Sequence, residues 1–292
     1  MLIRVGYDIE LALASPTTLL GALHVHPSRA HDLQAPQAFT IEPPLPAQTY
    51  QDDFDNTITR LDVPAGVTGV RLRGQALVAD SGRPDPVAPQ ARQHELHELS
   101  PELFRFLLPS RYCEVDSALM AFAWERFGGT PPGWARVQAI CDYVHGHLRF
   151  DYLQARANRT ALEGWHEGVG VCRDFAHLAI ALCRCMNIPA RYATGYLGDI
   201  GVPPQPAPMD FSAWFEAWLE GGWRTFDARH NTPRIGRVLM ARGRDAADVP
   251  ITMVFGWNEL RRFVVVTDEA GPHDHGARRQ CFPRCTPTGT AA

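Results

Sequence analysis

The sequence predicts an α+β fold, in which a β-rich N-terminal part precedes a core of helices packed on an antiparallel sheet. The first 80 residues contain alternating apolar positions, as expected of strands with one buried face. Between residues 137 and 186, apolar residues recur every three or four positions, which indicates amphipathic helices. Two runs at 210–219 and 223–227 are then typical of the paired strands of a hairpin.

The chain is long enough for two domains, because 292 residues with 45% hydrophobic content can bury a sizeable core. Its first predicted strand has apolar side chains at Ile3, Val5, Tyr7, Ile9 and Leu11. Prolines and polar residues after position 80 indicate a linker. We therefore expect a β-rich domain at 1–80, a linker at 81–109, a core at 110–268 and a flexible tail at 269–292.

One cysteine, Cys172, lies where a glycine-bearing loop turns into an apolar helix. The apolar positions of this helix are Phe175, Leu178, Ala179, Leu182 and Met186. The first N–H groups of a helix lack acceptors within it and carry the positive end of its dipole, so they stabilise a thiolate and can hold an oxyanion. A helix cysteine is more often a packing residue, but this position makes Cys172 a candidate nucleophile.

The predicted hairpin indicates which side chains share a face of its sheet. Side chains alternate across a strand, so Ser212, Trp214 and Trp218 lie on one face of the first strand. A two-residue turn at Glu220-Gly221 would pair Trp214 with Asp227. Asp227 would then lie on the same face, diagonal to Ser212.

Together these segments resemble the catalytic core of the transglutaminase-like superfamily, a papain-like group that includes bacterial cysteine peptidases. The family's Gly-x-Cys-x-Asp motif is found at 170–174, its Phe-Asp motif at 226–227, and its His-Ala-Trp motif as Ser-Ala-Trp at 212–214. The resemblance covers about residues 118–235 and implies a papain-like transglutaminase core preceded by a sandwich-like β domain. In that family the cysteine is the nucleophile, a histidine is its base, and the aspartate orients the histidine.

The N-terminal part carries a further element of this resemblance. Residues 53–57 look like a turn that bacterial members have in their β domain, with Asp55 where a glycine is usual. Aspartate tolerates turn conformations, so the same turn is expected here.

The position of the family histidine is occupied by Ser212, which cannot accept a proton from a thiol near neutral pH. His230 is the nearest replacement in the sequence. It can reach Cys172 only if the chain leaves the second strand near 228–229, where Asn231-Thr232-Pro233 predicts a turn.

Two alternatives to His230 stay open: the core has no base, or another residue serves as one. His166 lies in a glycine-flanked segment and is expected to be a solvated loop residue. His177 lies about 140° around the helix axis from Cys172 and is expected to pack in the core.

These residues predict acyl transfer on a peptide or protein substrate, through a thioester on Cys172 with Asp227 and His230 as its partners. Ser212 and Trp214 are expected to line the substrate cleft, although a large aromatic residue is equally typical of a core. Hydrolysis is favoured over crosslinking because no amine-acceptor site or calcium loop is evident, and no cofactor is required. The alternative is a degenerate core that binds peptides or proteins without catalysis, because Ser212 replaces the histidine.

Composition narrows the classes of function. The net charge of −4 does not indicate a protein that binds nucleic acid. The sequence has no run of 18 apolar residues, so no membrane-spanning helix is expected. The N-terminus alternates like a strand and does not resemble a signal peptide, and seven cysteines form no repeated framework, so a reduced, cytoplasmic compartment is expected. The sequence does not indicate an oligomeric state.

Two further groups of residues have ligand-like or substrate-like chemistry. His273, His275, Cys281 and Cys285 fit no common zinc motif, so no metal site is expected in the tail. Clustered arginines are expected on the surface, where they are solvated or face a substrate: Arg234, Arg237, Arg242 and Arg244.

Overall fold

A computed structural model describes residues 1–204 and 209–271 of the chain. Three four-stranded antiparallel sheets and one short parallel pair of strands account for the β structure of these residues, and the α-helices are gathered in the middle of the chain. The α+β class predicted from the sequence is confirmed.

The N-terminal part contains β1 (Leu2–Leu13), β2 (Thr17–Gly21), β3 (Ala38–Glu42), β4 (Ala47–Gln51), β5 (Thr57–Val63) and β6 (Gly69–Ala79). The middle contains α1 (Ala118–Phe127), α2 (Trp134–His147), β7 (Arg149–Phe150), α3 (Ala161–Glu167), β8 (Val169–Gly170) and α4 (Cys172–Cys185). The remainder contains β9 (Ala190–Tyr196), β10 (Ser212–Leu219), β11 (Gly222–Phe226), β12 (Val238–Gly243), β13 (Met253–Val254) and β14 (Asn258–Glu269).

Two sheets, ordered β14-β1-β6-β3 and β13-β2-β5-β4, form the N-terminal β unit. The strand expected at 263–266 exists within β14, but β14 pairs along β1, with Val5 opposite Thr267, and β13 pairs with β2. The expectation that 110–268 belongs to the core is therefore corrected, because the last strands complete the N-terminal sheets. An alternating pattern predicts a strand but not its partner, since the same pattern fits any half-buried sheet.

The expected linker is packed against the core. Its buried residues Leu99, Leu103 and Phe106 form a cluster with Trp218 and Trp223 of the hairpin. The expected tail lies outside the described residues from position 272 onward, and with it His273, His275, Cys281 and Cys285.

The turn between β4 and β5 joins the N-terminal unit to the core. Asp55 has a positive φ of 62°, the conformation that a glycine would supply at no cost. The buried Asn56 side chain donates to the carbonyl of Arg242 (2.7 Å) and accepts from its N–H (2.8 Å). A short turn thereby fixes the position of β12.

The core consists of α4 packed on one face of the sheet β11-β10-β9-β12, with α1, α2 and α3 around the helix. The side chains of β10 that point toward α4 are Ala213, Phe215, Ala217 and Leu219. Three cysteines are buried in this core, namely Cys141, Cys183 and Cys185. Across the described ranges, no helix combines the length and apolarity needed to cross a membrane.

The Asn56 contact provides a stability test. Asn56→Ala leaves the N–H and C=O of Arg242 without their partners, so we expect the free energy of unfolding to fall by about 2 kcal/mol in chemical denaturation. Asp53→Ala, at an exposed position of the same turn, is the matched control and should change it little. Equal effects of the two substitutions would contradict the assigned role of Asn56.

Candidate active site

The start of α4 is fixed by Gly170 and Asp174, the first and last residues of the Gly-x-Cys-x-Asp segment. Asp174 accepts a hydrogen bond from the N–H of Val171, just before the helix (2.9 Å), and pairs with the buried Arg159 (2.9 Å). A Cβ on Gly170 would lie 2.6 Å from Cβ of Asp174, so only glycine fits beside it. This arrangement sets Cys172 as the first residue of the helix.

The Cys172 thiol lies against the beginning of β10. Its Sγ is 4.0 Å from the carbonyl oxygen of Phe211, and the N–H of Ala213 donates toward the sulfur. Burial raises the pKa of Cys172 to about 11, although the Arg229 guanidinium and the Ala213 N–H act in the opposite direction. In these surroundings the thiol is neutral at pH 7, and a thiolate requires a proton acceptor.

The hairpin has the predicted register. Phe215 pairs with Phe226 and Leu219 with Gly222, which places Trp214 opposite Asp227. The chain leaves the strand after Phe226 and turns over residues 228–230, where the Asn231 N–H donates to the carbonyl of Asp227 (2.7 Å). This is the departure from the strand that His230 requires to return to the site.

The Asp227 carboxylate is the centre of a buried polar cluster. Its Oδ2 lies 2.9 Å from Nδ1 of His230 and 2.8 Å from Nη2 of Arg237, and its Oδ1 accepts from the N–H groups of Arg229 and His230 (3.0 Å each). Burial alone would raise the pKa of Asp227, but Arg237 and His230 outweigh it and hold that pKa well below its usual range. An ionised carboxylate only accepts, so Nδ1 of His230 carries the proton and Nε2 is the basic nitrogen.

A cleft of about 160 Å³ runs along this cluster. Ser212, Arg229 and His230 line it, together with Phe211, whose carbonyl contacts Cys172. The buried Ser212 Oγ has no hydrogen-bond partner among the residues that the structure describes. The structure thus pairs Asp227 with His230, whereas Ser212 contributes only a small side chain to the cleft wall.

Trp214 does not line this cleft, and the expectation that it does is corrected. Its buried ring packs beneath the Arg237 guanidinium, 5.0 Å from the ring centroid, and lines a second cavity on the sheet face turned away from α4. Trp218 packs on Trp223 in the cluster with the linker. Both rings lie on the same face of β10 as Ser212, as predicted. From Trp214 onward, however, that face is covered by segments that precede the core.

The two other histidines considered as bases, His166 and His177, do not line the cleft. His177 is buried, stacks on Tyr112 at 5.1 Å, and accepts from the Ala246 N–H through Nε2 (3.1 Å). Burial lowers the pKa of His177 well below its usual value, so it is a neutral core histidine, as expected. His166 lies in the last turn of α3, not in a loop, and its side chain is exposed.

Of three charged residues around the site, two were assigned to the surface from the sequence and one, Arg229, was not predicted. Arg237 and Arg234 are buried, which corrects the expectation that both lie on the surface, and Arg237 binds Asp227 directly. Arg229 lowers the pKa of Cys172 and stacks on Phe150 at 3.8 Å. Arg229 could have been found because it directly precedes His230 in the sequence. No local pattern distinguishes Arg237 from a surface arginine.

Comparisons with known proteins agree with this architecture. The family model described as "Transglutaminase-like superfamily" matches residues 123–228. The crystal structure of a "putative cysteine protease" from Cytophaga hutchinsonii is 30% identical, with a TM-score of 0.77, and the match covers 92% of this chain and 90% of that one.

Two uncharacterised mycobacterial proteins are also similar. The Mycobacterium leprae protein is 26% identical over 206 residues, which cover 68% of this chain and 72% of that protein. A Mycobacterium tuberculosis protein is 36% identical over 150 residues, which cover 47% of this chain and 46% of its own length. The second match thus spans less than half of that relative.

The close contact at Gly170 generates a test. Gly170→Ala forces a Cβ into the side chain of Asp174, so we expect the free energy of unfolding to fall by about 1–3 kcal/mol, measured by thermal unfolding. Gly146→Ala, at an exposed position in α2 where an added Cβ meets nothing within 4 Å, is the matched control. It should raise stability by roughly 0.5–1 kcal/mol. Substitutions that act in the same direction would argue against this packing.

Proposed function

This chain belongs to the transglutaminase-like superfamily, and from that premise we propose that it is a cysteine-dependent hydrolase of peptide or amide bonds. The observation that carries the proposal is the hydrogen bond between the ionised Asp227 and His230, because His230 lines the same cleft as Phe211, whose carbonyl contacts Cys172. It supplies the imidazole that Ser212 cannot. The similar cysteine protease from Cytophaga hutchinsonii supports a peptide substrate.

In the first step of the proposed reaction, Cys172 Sγ attacks the substrate carbonyl carbon while its proton passes to Nε2 of His230. The N–H groups at the start of α4 stabilise the oxyanion, since the first residues of a helix have no acceptors within it. Asp227 keeps the proton on Nδ1 and stabilises the imidazolium that forms.

In the second step the amine leaves and the thioester is hydrolysed. The imidazolium donates its proton to the leaving amine as the C–N bond breaks, and a thioester on Cys172 remains. Water then attacks the thioester carbonyl, with His230 taking the proton of the water. The C–S bond breaks to release the carboxylic acid, and the imidazolium returns its proton to Cys172 Sγ, which restores the thiol. No step of this hydrolysis requires a cofactor, and a reduced cytoplasmic compartment suits a free thiol nucleophile.

A second candidate is a degenerate core that binds peptides or proteins without catalysis. It is favoured by the partly buried thiol, whose pKa is raised to about 11, and by Ser212 at the family histidine position. The two candidates differ in whether His230 exchanges a proton with Cys172.

The pH dependence of Cys172 alkylation by iodoacetamide separates the candidates. The thiolate is the reactive form, so reactivity rises with pH through the thiol pKa. For the enzyme we expect reaction near pH 7 in the wild type, because His230 accepts the thiol proton. In His230→Ala the midpoint should move to more alkaline pH, because burial raises the pKa of the Cys172 thiol and no imidazole is left to accept its proton.

Two controls accompany the alkylation experiment. Cys172→Ala supplies the background of the other cysteines, and His166→Ala removes an exposed histidine outside the cleft and should leave the profile unchanged. If the wild-type midpoint is already alkaline and His230→Ala does not shift it, the hydrolase is rejected and the non-catalytic binding core is the remaining candidate.

Hydrolysis itself gives a further prediction. In an assay with a mixed library of fluorogenic peptides and amides, Cys172→Ala should abolish turnover, and His230→Ala should lower it by roughly 10²–10⁴-fold. Adding Ser212→His to His230→Ala moves the imidazole to the family position, and it should recover part of the lost rate. Unchanged turnover in His230→Ala would show that another group is the base.

A further inference from the structure

A second cavity, of about 520 Å³, lies on the face of the core sheet turned away from α4; we call it the rear cavity. Trp214 and Glu216 of β10 and Arg242 of β12 contribute one wall, and the segment 80–86 that follows β6 contributes another. Its volume falls within the range of pockets that hold small molecules. It is distinct from the cleft at Cys172, although Arg234 contributes to both.

More arginines than carboxylates line the rear cavity. The arginines in its walls are Arg29, Arg83, Arg234, Arg237 and Arg242, and the carboxylates are Asp80, Asp85 and Glu216. Glu216 is already shared between two arginines, with Oε2 2.6 Å from Nε of Arg191 and 3.1 Å from Nε of Arg242. Outside the lining, Asp32, Asp199 and Asp227 also pair with Arg29, Arg234 and Arg237, so most of the charge on these walls already has a partner.

Two buried guanidinium groups in the wall have unused donors. Arg237 binds Asp85 through Nε (2.8 Å) and Asp227 through Nη2 (2.8 Å), but its buried Nη1 has no acceptor in residues 1–204 and 209–271. In the same ranges the buried Nε of Arg234 has none either. The two side chains are only 7% and 4% exposed. A buried donor without an acceptor costs about 1–3 kcal/mol, so a ligand oxygen at these positions would be favourable.

We propose that the rear cavity binds a small organic anion whose carboxylate or phosphate oxygens accept from Nη1 of Arg237 and Nε of Arg234. Charge-assisted hydrogen bonds from arginine to such oxygens are stronger than those between neutral groups. Trp214 offers an apolar surface beside them for the body of the ligand. Exposed Arg83 stands at the mouth of the cavity, where it attracts the anion.

Calorimetric titration and thermal unfolding of the full chain test this site. The probes are inorganic phosphate, malonate and the neutral malonamide, at an ionic strength held constant with sodium chloride. We expect phosphate or malonate to bind and to raise the Tm by about 5 °C near a hundredfold excess over Kd, whereas malonamide does neither. Tighter binding of phosphate would indicate a phosphate ester as the natural ligand, and tighter binding of malonate a carboxylate.

Three variants locate the binding. Arg83→Glu reverses a charge at the exposed mouth and should weaken binding by roughly tenfold. Arg105→Glu makes the same change of net charge at an exposed position outside the cavity and should leave affinity unchanged. Arg237→Gln should abolish binding. If circular dichroism shows that this variant is misfolded, the comparison of the affinities of Arg83→Glu and Arg105→Glu decides the question. Binding of malonamide as strong as that of malonate, or equal affinity in Arg83→Glu and Arg105→Glu, overturns the proposal.

Discussion

The arrangement of the site depends on one buried carboxylate, that of Asp227. A carboxylate taken out of water costs several kcal/mol unless donors surround it, and this one has two side chains and two backbone N–H groups around it. Arg237 joins it to Asp85 in the segment after the N-terminal strands, so the turn that holds His230 and that segment share one ion-pair network. Moving any one of these groups would leave charge buried without a partner.

The thiol is held by a separate network. Gly170, Asp174 and Arg159 fix the start of α4, and the backbone of β10 at Phe211 and Ala213 receives the sulfur. The Cys172 thiol and the His230 imidazole are thus held by two separate networks, one at the start of α4 and one at the turn after β11.

The parts of this structure that local pattern determines could be predicted from the sequence. The start of α4, the hairpin register and the turn before Asn231 follow from helix spacing, strand alternation and turn residues. The partner of β14 and the burial of Arg237 could not, because both depend on residues far away in the chain. Trp214 was assigned to the correct face, but its surroundings there come from other segments.

The pairing of β14 with β1 has a consequence for the order in which the chain is synthesised. β1 lies between β6 and β14, and β14 is made about 250 residues after it, so one edge of β1 lacks its native partner until residues 258–269 leave the ribosome. Until then its unpaired N–H and C=O groups are a template for the strands of other nascent chains. The two ends of the described chain therefore close one sheet in a late folding step, after the helices and the hairpin between them are available.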